Sequence, residues 1–178
     1  MGIDQLEKGI KYKFKNLDLL EEALTHSSFK KNKLEGKKNY ERLEFLGDRV
    51  LGLILSEFLF KTFPKVQEGD LDKYFQNYAN QENLFNYAKK INLSSFIKTQ
   101  KGDNLENNKS ILGDVIEAII GAIYIDSGLK NCQKFVIKNI IDNKSQIYKP
   151  LKHPKSILQE FCLKKYKTLP KYSILNKF

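Results

Sequence analysis

The segment YERLEFLGDRVL, residues 40–51, sets three carboxylates into a stretch that is otherwise largely apolar. Its acids Glu41, Glu44 and Asp48 are spaced i, i+3 and i+7, so an α-helix holds them within roughly 60° of one another. The apolar residues on the other faces predict that this helix is mostly buried. Acids on a helix usually form a solvated face, but that explanation is strained here, because clustered buried carboxylates repel one another and require a counter-charge.

A second acidic pair recurs 70 residues later, in the segment SILGDVIEAIIGAIYIDSG, residues 110–128. Asp114 and Glu117 lie at i and i+3 inside an apolar helix. Four glycines predict close approach of the two helices: Gly47, Gly52, Gly113 and Gly121. Side by side, the helices would bring four or five carboxylates into one cluster, and a divalent cation would offset their repulsion. All-oxygen ligands suit Mg²⁺ or Mn²⁺ rather than zinc, while a metal-free structural cluster remains the alternative.

The composition of the 178-residue chain excludes several classes of protein. Two cysteines, Cys132 and Cys162, are too few for a disulfide framework, so we do not expect a disulfide-held secreted protein. The longest uncharged apolar runs are too short to span a bilayer, and the N-terminus lacks the apolar core of a signal peptide. We therefore expect a cytoplasmic protein without a membrane partner.

The net charge of +10 indicates a polyanionic partner and is concentrated towards the C-terminal end. Residues 144–178 contain nine lysines and one acid, a net charge of +8, whereas residues 1–143 carry 22 basic and 20 acidic side chains. The excess is nearly all lysine, which a bias in nucleotide composition can also produce. The distribution of the charge is therefore more informative than its total.

The hydrophobic periodicity predicts a mostly helical chain without internal repeats. Asn16 is predicted to cap a helix that ends near Thr25, and Pro64 and Gly128 are predicted to stop the two acid-bearing helices. The other predicted helices cover residues 70–79, 81–90, 93–98, 129–142 and 154–165. Polar loops are predicted at 30–39 and 101–109, and a linker at 144–152.

The segment YERLEFLGD resembles the signature of bacterial ribonuclease III, the double-stranded RNA endonuclease, and the resemblance covers the whole chain. ALTHSS at residues 23–28, EGDL at residues 68–71 and the second acidic segment look like further segments of that family. The resemblance implies an all-α helical bundle over residues 1–143 that forms a homodimer and binds double-stranded RNA. It also implies Mg²⁺-dependent phosphodiester hydrolysis without a small-molecule cofactor, giving 5′-phosphate and 3′-hydroxyl ends with two-nucleotide 3′ overhangs. The implied substrates are precursors of ribosomal, transfer and messenger RNA.

Carried over by position, the resemblance gives a role to each acid. Three acids match the magnesium ligands of the family, for which Mn²⁺ is expected to substitute: Glu44, Asp114 and Glu117. Asp48 matches the catalytic position, and Glu117 is shared between metal binding and catalysis. Glu41 and Glu68 match supporting residues, the first in substrate contact or dimer structure and the second near the catalytic valley.

The segment HPKSILQEFCLKKYKTLPKY, residues 153–172, is similar to the start of a double-stranded RNA-binding domain. Residues 153–178 would then be the truncated N-terminal part of this α/β module, which we expect to be disordered or loosely docked because it cannot close its core. Gln159 and Glu160 match helix positions that face the RNA minor groove, where shape and 2′-hydroxyls are recognised. An amphipathic terminal helix is the alternative.

The chain departs from the family pattern at two places near the implied RNA contact. After EGDL the family usually has a basic and apolar stretch such as Lys-Leu-Arg, but this chain has Lys73, Tyr74 and Phe75. At the second place this chain has Arg49, where a small residue is common. Neither departure removes a metal ligand. Two other functions stay open: a double-stranded RNA-binding protein that has lost cleavage, and a stand-alone variant that matures ribosomal RNA. For His26, a structural role is favoured over a role as a ligand.

Overall fold

The computed structural model describes residues 2–29, 38–100, 105–141 and 154–173. The chain divides into two units, Met1–Gln146 and Ile147–Phe178. The predicted linker at 144–152 and parts of the two predicted polar loops lie outside the described residues.

Helices account for the regular structure of the described residues, which confirms the all-α prediction. In chain order the first unit contains α1 (Ile3–Ile10), α2 (Leu17–Ala23), α3 (Glu41–Thr62), α4 (Glu68–Ala79), α5 (Gln81–Lys90), a 3-10 turn (Leu93–Phe96), α6 (Lys109–Ser127) and α7 (Leu129–Val136), which continues into a π-helical turn (Ile137–Ile141). The two acid-bearing segments form α3 and α6, the longest of these helices. Within the described ranges, no helix is both long and apolar enough to cross a membrane.

Asparagine side chains begin three of the helices. Asn16, Asn80 and Asn108 each accept a hydrogen bond from a backbone amide in the first turn of α2, α5 and α6. α6 ends at Gly128, whose φ of 78° lies in the left-handed region that favours glycine, and whose amide donates to the Tyr124 carbonyl at 2.8 Å. The predicted Asn16 cap and Gly128 stop are confirmed.

The helices α3 and α6 form the central pair of the first unit. α6 also packs against α2, α5 and α7, while α4 packs on α3. Ten residues of α6 are buried, which explains why the sequence of this helix is apolar on most faces. The two acid-bearing helices are therefore the central helices of the bundle rather than outer ones.

The N-terminal helix α1 is the element that the periodicity did not predict. Leu6 and Ile10 form its fully buried stripe, and Glu7 Oε1 accepts a hydrogen bond from the Phe14 amide at 2.8 Å. An eight-residue helix carries too few apolar repeats for its sequence pattern to stand out, and packing against the core stabilises it.

The described part of the second unit consists of α8 (Pro154–Tyr166) and an irregular segment that follows it to residue 173. The predicted helix is confirmed, and the expectation that residues 153–178 are disordered or loosely docked stays a prediction. Leu158, Phe161 and Leu163 are exposed. They do not form, among the described residues, the core that an amphipathic terminal helix requires.

Candidate metal centre

The backbones of α3 and α6 touch at two glycines, and this contact sets the geometry of the site. A Cβ atom added to Gly47 would lie 1.8 Å from the carbonyl oxygen of Glu117. One added to Gly121 would lie 2.2 Å from the carbonyl oxygen of Leu43. A side chain cannot approach backbone this closely, so the crossing requires glycine at both positions. The predicted close approach of the two helices is confirmed here.

The other two glycines of these helices serve different contacts. A Cβ atom on Gly113 would lie 3.2 Å from Gln81 of α5, and one on Gly52 would lie 3.7 Å from Phe75 of α4. The prediction that all four glycines bring α3 and α6 together is therefore wrong for Gly52 and Gly113, because they lie on faces that pack against other helices.

Three carboxyl groups converge where the central helices cross: Glu44, Asp114 and Glu117. Each offers one carboxylate oxygen, and the three oxygens lie within 4.8 Å of one another. Glu44 comes from α3 and the other two from α6, and all three side chains are half-buried. The structure thus brings together the residues predicted as ligands, in an all-oxygen set of the kind that suits Mg²⁺ or Mn²⁺.

Burial raises the pKa values of all three carboxyl groups, and repulsion from neighbouring acids adds to this effect at Glu44 and Glu117. For Glu117 burial is the largest cause, followed by the charges of Asp48, Asp114 and Glu44, and its pKa rises to about 8. Burial also raises the pKa of Glu44, with the charges of Asp114, Glu41 and Asp48 adding to it. The cluster therefore holds more negative charge than it tolerates without a proton or a cation.

Asp48 lies beside the cluster without contributing to the group of three converging oxygens. Its charge raises the pKa values of Glu117 and Glu44. The guanidinium of Arg49 pairs with its carboxylate and lies over the ring of Phe45, 5.4 Å from the centroid. The Arg49 charge also lowers the pKa of Glu117, against the larger effects of burial and repulsion. Arg49, noted in the sequence only as a departure from the family pattern, thus places a positive charge beside the acids.

The two acids predicted to be supporting residues lie in different places. Glu41 is exposed at the start of α3, where the side-chain amide of Asn39 donates to its carboxylate at 3.1 Å. Glu68 is exposed at the first residue of α4 and lines a groove with Phe60 and Phe75. Within the described residues, Glu41 adds charge to the cluster through Glu44, and Glu68 stands apart from the cluster of its own chain.

His26 and Tyr40 border the cluster. His26 Nδ1 accepts a hydrogen bond from the Ser28 amide at 3.1 Å, and its ring centroid lies 5.6 Å from that of Tyr40. The structural role of His26 stays a prediction. Burial raises the pKa of Asp114, whereas a hydrogen bond from Ser110 and the charge of His26 lower it.

Tyr40 is a neighbour of the site that the sequence reasoning missed. It is buried, and its pKa rises to about 12, first through burial and then through the charges of Asp114, Glu44 and Glu41. Its spacing of four residues from Glu44 is the signal that places both on one helix face.

Gln159 and Glu160, the residues predicted to face RNA, lie on α8 in the second unit. Gln159 is half-buried and Glu160 is exposed. Lys165 on the same helix lies over the rings of Phe161 and Tyr166, 5.5 and 5.3 Å from their centroids. A role of this helix in RNA contact stays a prediction.

Comparison with known proteins relates the chain to one family. A family model described as Ribonuclease-III-like matches residues 16–144. Ribonuclease 3 of Borreliella burgdorferi is 41% identical over 170 residues, covering 90% of this chain and 68% of the relative. Ribonuclease 3 of Treponema denticola is 40% identical over 178 residues, covering 96% of this chain and 71% of the relative.

Solved structures agree with the sequence comparison. One structure of the nuclease domain of ribonuclease III from Campylobacter jejuni is described as showing flexibility in a region involved in dimer formation. This chain is similar to it with a TM-score of 0.72 and 40% identity, covering 80% of this chain and 98% of that one. The family match, the identities and the shared helical architecture together show that the chain belongs to the ribonuclease III family of endoribonucleases.

Proposed function

We propose that this chain is a magnesium-dependent endoribonuclease that cuts both strands of double-stranded RNA. On this proposal its products carry 5′-phosphate and 3′-hydroxyl ends with two-nucleotide 3′ overhangs, and its substrates are ribosomal and other precursor RNAs in the cytoplasm. Membership of the ribonuclease III family supports the class of reaction. The observation that carries the proposal is the convergence of Glu44, Asp114 and Glu117 at the crossing of α3 and α6.

The chemistry of this donor set fits a hard divalent cation. We assign Glu44, Asp114 and Glu117 as its ligands, with Mn²⁺ able to replace Mg²⁺ because both prefer oxygen. When bound, the cation supplies Lewis-acid stabilisation of the charge that develops on phosphate oxygens. In the metal-free chain Glu117 keeps a proton near neutral pH, since its pKa is about 8, so this carboxyl group must lose that proton to act as a ligand.

Asp48 is assigned to catalysis beside the ligand set, and Glu117 to both roles. The Asp48 side chain is about half exposed, which leaves its carboxylate accessible to substrate and water, while its charge reaches Glu117 and Glu44. Its carboxylate pairs with the exposed guanidinium of Arg49. Glu41 is assigned a supporting role in substrate contact or dimer structure, and its negative charge, which raises the pKa of Glu44, favours a cation at the cluster.

A homodimer through α3 is part of the proposal. Three large apolar side chains lie along one stripe of this helix and are mostly exposed: Phe45 at 67%, Leu53 at 56% and Phe60 at 73%. Beside Phe60 a groove of about 420 Å³ is lined by Leu71 and Phe75 and bordered by Glu68. An exposed apolar stripe next to a groove with apolar walls suits a self-complementary two-fold contact. Glu68 then has a supporting role at the edge of this interface.

Residues 144–178 form the lysine-rich tail. Its residues 153–178 are proposed to be the beginning of a double-stranded RNA-binding domain that follows a linker at residues 144–152. Its helix α8 would present Gln159 and Glu160 to the minor groove. The net charge of +8 in residues 144–178 supports contact with a polyanion.

The proposal is tested by incubating the chain with a long RNA duplex in Mg²⁺, in Mn²⁺ and in EDTA. We expect cutting in both metals and none in EDTA, with products whose ends are mapped by labelling. Glu117→Gln should lower the cleavage rate by more than about 100-fold. Substituting residues that only hydrogen-bond to metal ligands already lowers metal affinity or activity by about 10–100-fold, and Glu117 is assigned as a ligand itself. Duplex binding in EDTA should be retained, because the substitution removes a metal ligand and not a phosphate contact.

The matched control is Glu106→Gln, which removes an exposed acid from the turn before α6 and should cut like the unsubstituted chain. Binding without cutting by the unsubstituted chain would support the non-cleaving alternative. Normal cutting by Glu117→Gln would contradict the assigned ligand set.

A further inference from the structure

A basic cleft lies at the C-terminal end of α6. It is a cavity of about 840 Å³ between the loop that joins α1 to α2 and the outer face of α7. Six lysines line this lysine cleft: Lys11, Lys13, Lys15, Lys130, Lys134 and Lys138. Its lining residue Ser127 is ten positions beyond Glu117 on α6, which corresponds to roughly 15 Å along the helix axis. The cleft is therefore separate from the acidic cluster but lies on the same central helix.

The fold brings the six lysines together by a specific set of contacts. Asp126, near the end of α6, accepts hydrogen bonds from the Tyr12 hydroxyl at 2.6 Å and from the amides of Lys15 and Asn16 at 3.0 and 2.9 Å. These bonds hold the loop with three of the lysines against the end of α6. The other three lysines are spaced i, i+4 and i+8 and so lie on one face of α7 and its π-helical continuation.

The positive charge of the lysine cleft is offset only in part, by Asp126, whose pKa the charge of Lys15 helps to lower. No lining residue is acidic, and all six lysines are exposed. None of them forms an ion pair with a described carboxylate, unlike Lys61, Lys98 and Lys109 elsewhere on the surface. An adjoining cavity that shares Lys11 and Lys13 does contain acids, but they lie outside the cleft itself. Six like charges in one concave surface favour binding of an anion with several charges.

The uncharged polar side chains of the cleft are already used within the protein. Ser127 donates to the Ile123 carbonyl, Gln133 to Glu57, and Asn139 to the carbonyls of Ile10 and Phe135. The side chain of the remaining lining amide, at position 131, donates to a backbone carbonyl as well. The lysine cleft therefore offers charge without directed donors that could read base edges, which is the pattern of contacts to a nucleic-acid backbone.

We propose that the lysine cleft binds backbone phosphates of the RNA duplex, away from the segment held at the acidic cluster. This inference rests on the proposed function, because it takes the duplex to be the ligand. It assigns to the catalytic unit a second, sequence-independent contact that does not depend on the lysine-rich tail. A small polyphosphate shares the same chemistry, and the experiment separates the two.

The test compares Lys134→Gln/Lys138→Gln with a control pair, Lys65→Gln/Lys90→Gln, which removes two exposed lysines outside the cleft. Binding to two duplexes of equal length and different sequence is measured by fluorescence anisotropy in EDTA over a range of salt concentrations. The cleft variant should flatten the slope of log affinity against log salt by about 2, and should lose about five- to thirtyfold in affinity at about 0.15 M salt. Both duplexes should show the same loss, and the control pair should keep the slope of the unsubstituted chain. Equal melting temperatures would show that both variants fold.

The possible results separate this inference from the proposed function. If the unsubstituted chain cuts duplex RNA but the cleft variant binds it like the control pair, the cleft inference is wrong and the function stands. If the unsubstituted chain neither binds nor cuts duplex RNA, both are wrong. If tripolyphosphate raises the melting temperature of the unsubstituted chain but not of the cleft variant, while duplex binding is unaffected, the cleft holds small anions and the duplex inference is overturned.

Discussion

Glu117 holds its proton near neutral pH because it is buried among other acids. Asp48, Asp114 and Glu44 face it, and Arg49 opposes their effect. Its pKa of about 8 lies well above the ordinary value of 4.5. The folded state therefore binds this proton more tightly than the unfolded state does. It follows that the stability of the metal-free chain falls as the pH rises from about 4.5 to about 8.

Glu117→Gln should accordingly stabilise the metal-free chain at pH 8. The neutral amide removes the cost of ionising a buried acid, which we expect to be on the order of 1–2 kcal/mol after solvent screening, or roughly 2–8 °C in Tm. Thermal unfolding in EDTA at pH 5 and pH 8 measures the effect, and the advantage of the variant should widen with pH. Glu106→Gln, for an exposed acid, should show no such trend. A variant that is less stable than the unsubstituted chain at pH 8 would contradict the raised pKa.

Arg49→Ala should tighten binding of Mg²⁺. The guanidinium pairs with Asp48 and acts on Glu117, so it opposes a cation in the cluster. Because its side chain is well exposed, the gain should be modest, roughly two- to tenfold. Titration calorimetry at low salt provides the measurement. Arg42→Ala is the matched control, since Arg42 is the other arginine of the chain and is exposed on the same helix. Unchanged or weaker binding in Arg49→Ala would show that Arg49 does not act on the site.

At the scale of elements, the crossing of α3 and α6 determines whether the cluster forms. The two helices are in backbone contact at Gly47 and Gly121, so the distance between Glu44 and the α6 acids follows from the absence of side chains there. A helix pair held further apart would carry the same acids without bringing their oxygens together.

Gly121→Ala should force the two helices apart, because the new Cβ atom would lie 2.2 Å from the Leu43 carbonyl oxygen, which is backbone and cannot turn away. We expect a loss of about 3 kcal/mol or more, at or above the upper end for overpacking, and weaker Mg²⁺ binding. Thermal unfolding and metal titration are the measurements. Gly69→Ala on α4 is the control: it meets nothing within 4 Å, and alanine should be neutral or stabilising by about 0.5–1 kcal/mol. Equal stability of the two variants would contradict the close crossing.

At the scale of the whole molecule, the exposed apolar stripe on α3 predicts a dimer. Leu53→Lys should make the chain monomeric, since it places a charge in the middle of the stripe. Ile125→Lys is a matched control, because Ile125 on α6 is 55% exposed and Leu53 is 56% exposed. Light scattering or sedimentation equilibrium should find a monomer for Leu53→Lys and a dimer for the control. A dimer in both variants would place the contact elsewhere.

Much of the fold and of the acidic site followed from local patterns. The spacing of the acids within apolar segments predicted both helices, because helix periodicity is a property of neighbouring residues. The same reasoning predicted a cluster of four or five carboxylates, whereas the choice of Glu44, Asp114 and Glu117 as the converging set came from the family resemblance. The Asn16 cap and the Gly128 stop were likewise readable from single residues. The short helix α1 was missed, since its one apolar stripe gains its stability from packing.

Other features depend on which distant segments the fold brings together. Glu41, Glu44 and Asp48 share a helix face, but of these three only Glu44 belongs to the group of converging oxygens. The backbone contact at Gly47 and Gly121 determines which turn of α3 lies nearest the acids of α6. The effect of the Arg49 charge on the pKa of Glu117 also depends on the fold, because Glu117 lies on another helix. Beside the lysine cleft, the hydrogen bond from the Tyr12 hydroxyl to Asp126 joins positions 114 residues apart. No local sequence pattern links such distant positions. The sequence by itself determined where the helices form and which charged residues they carry, whereas tertiary packing determined the balance of charge at each site.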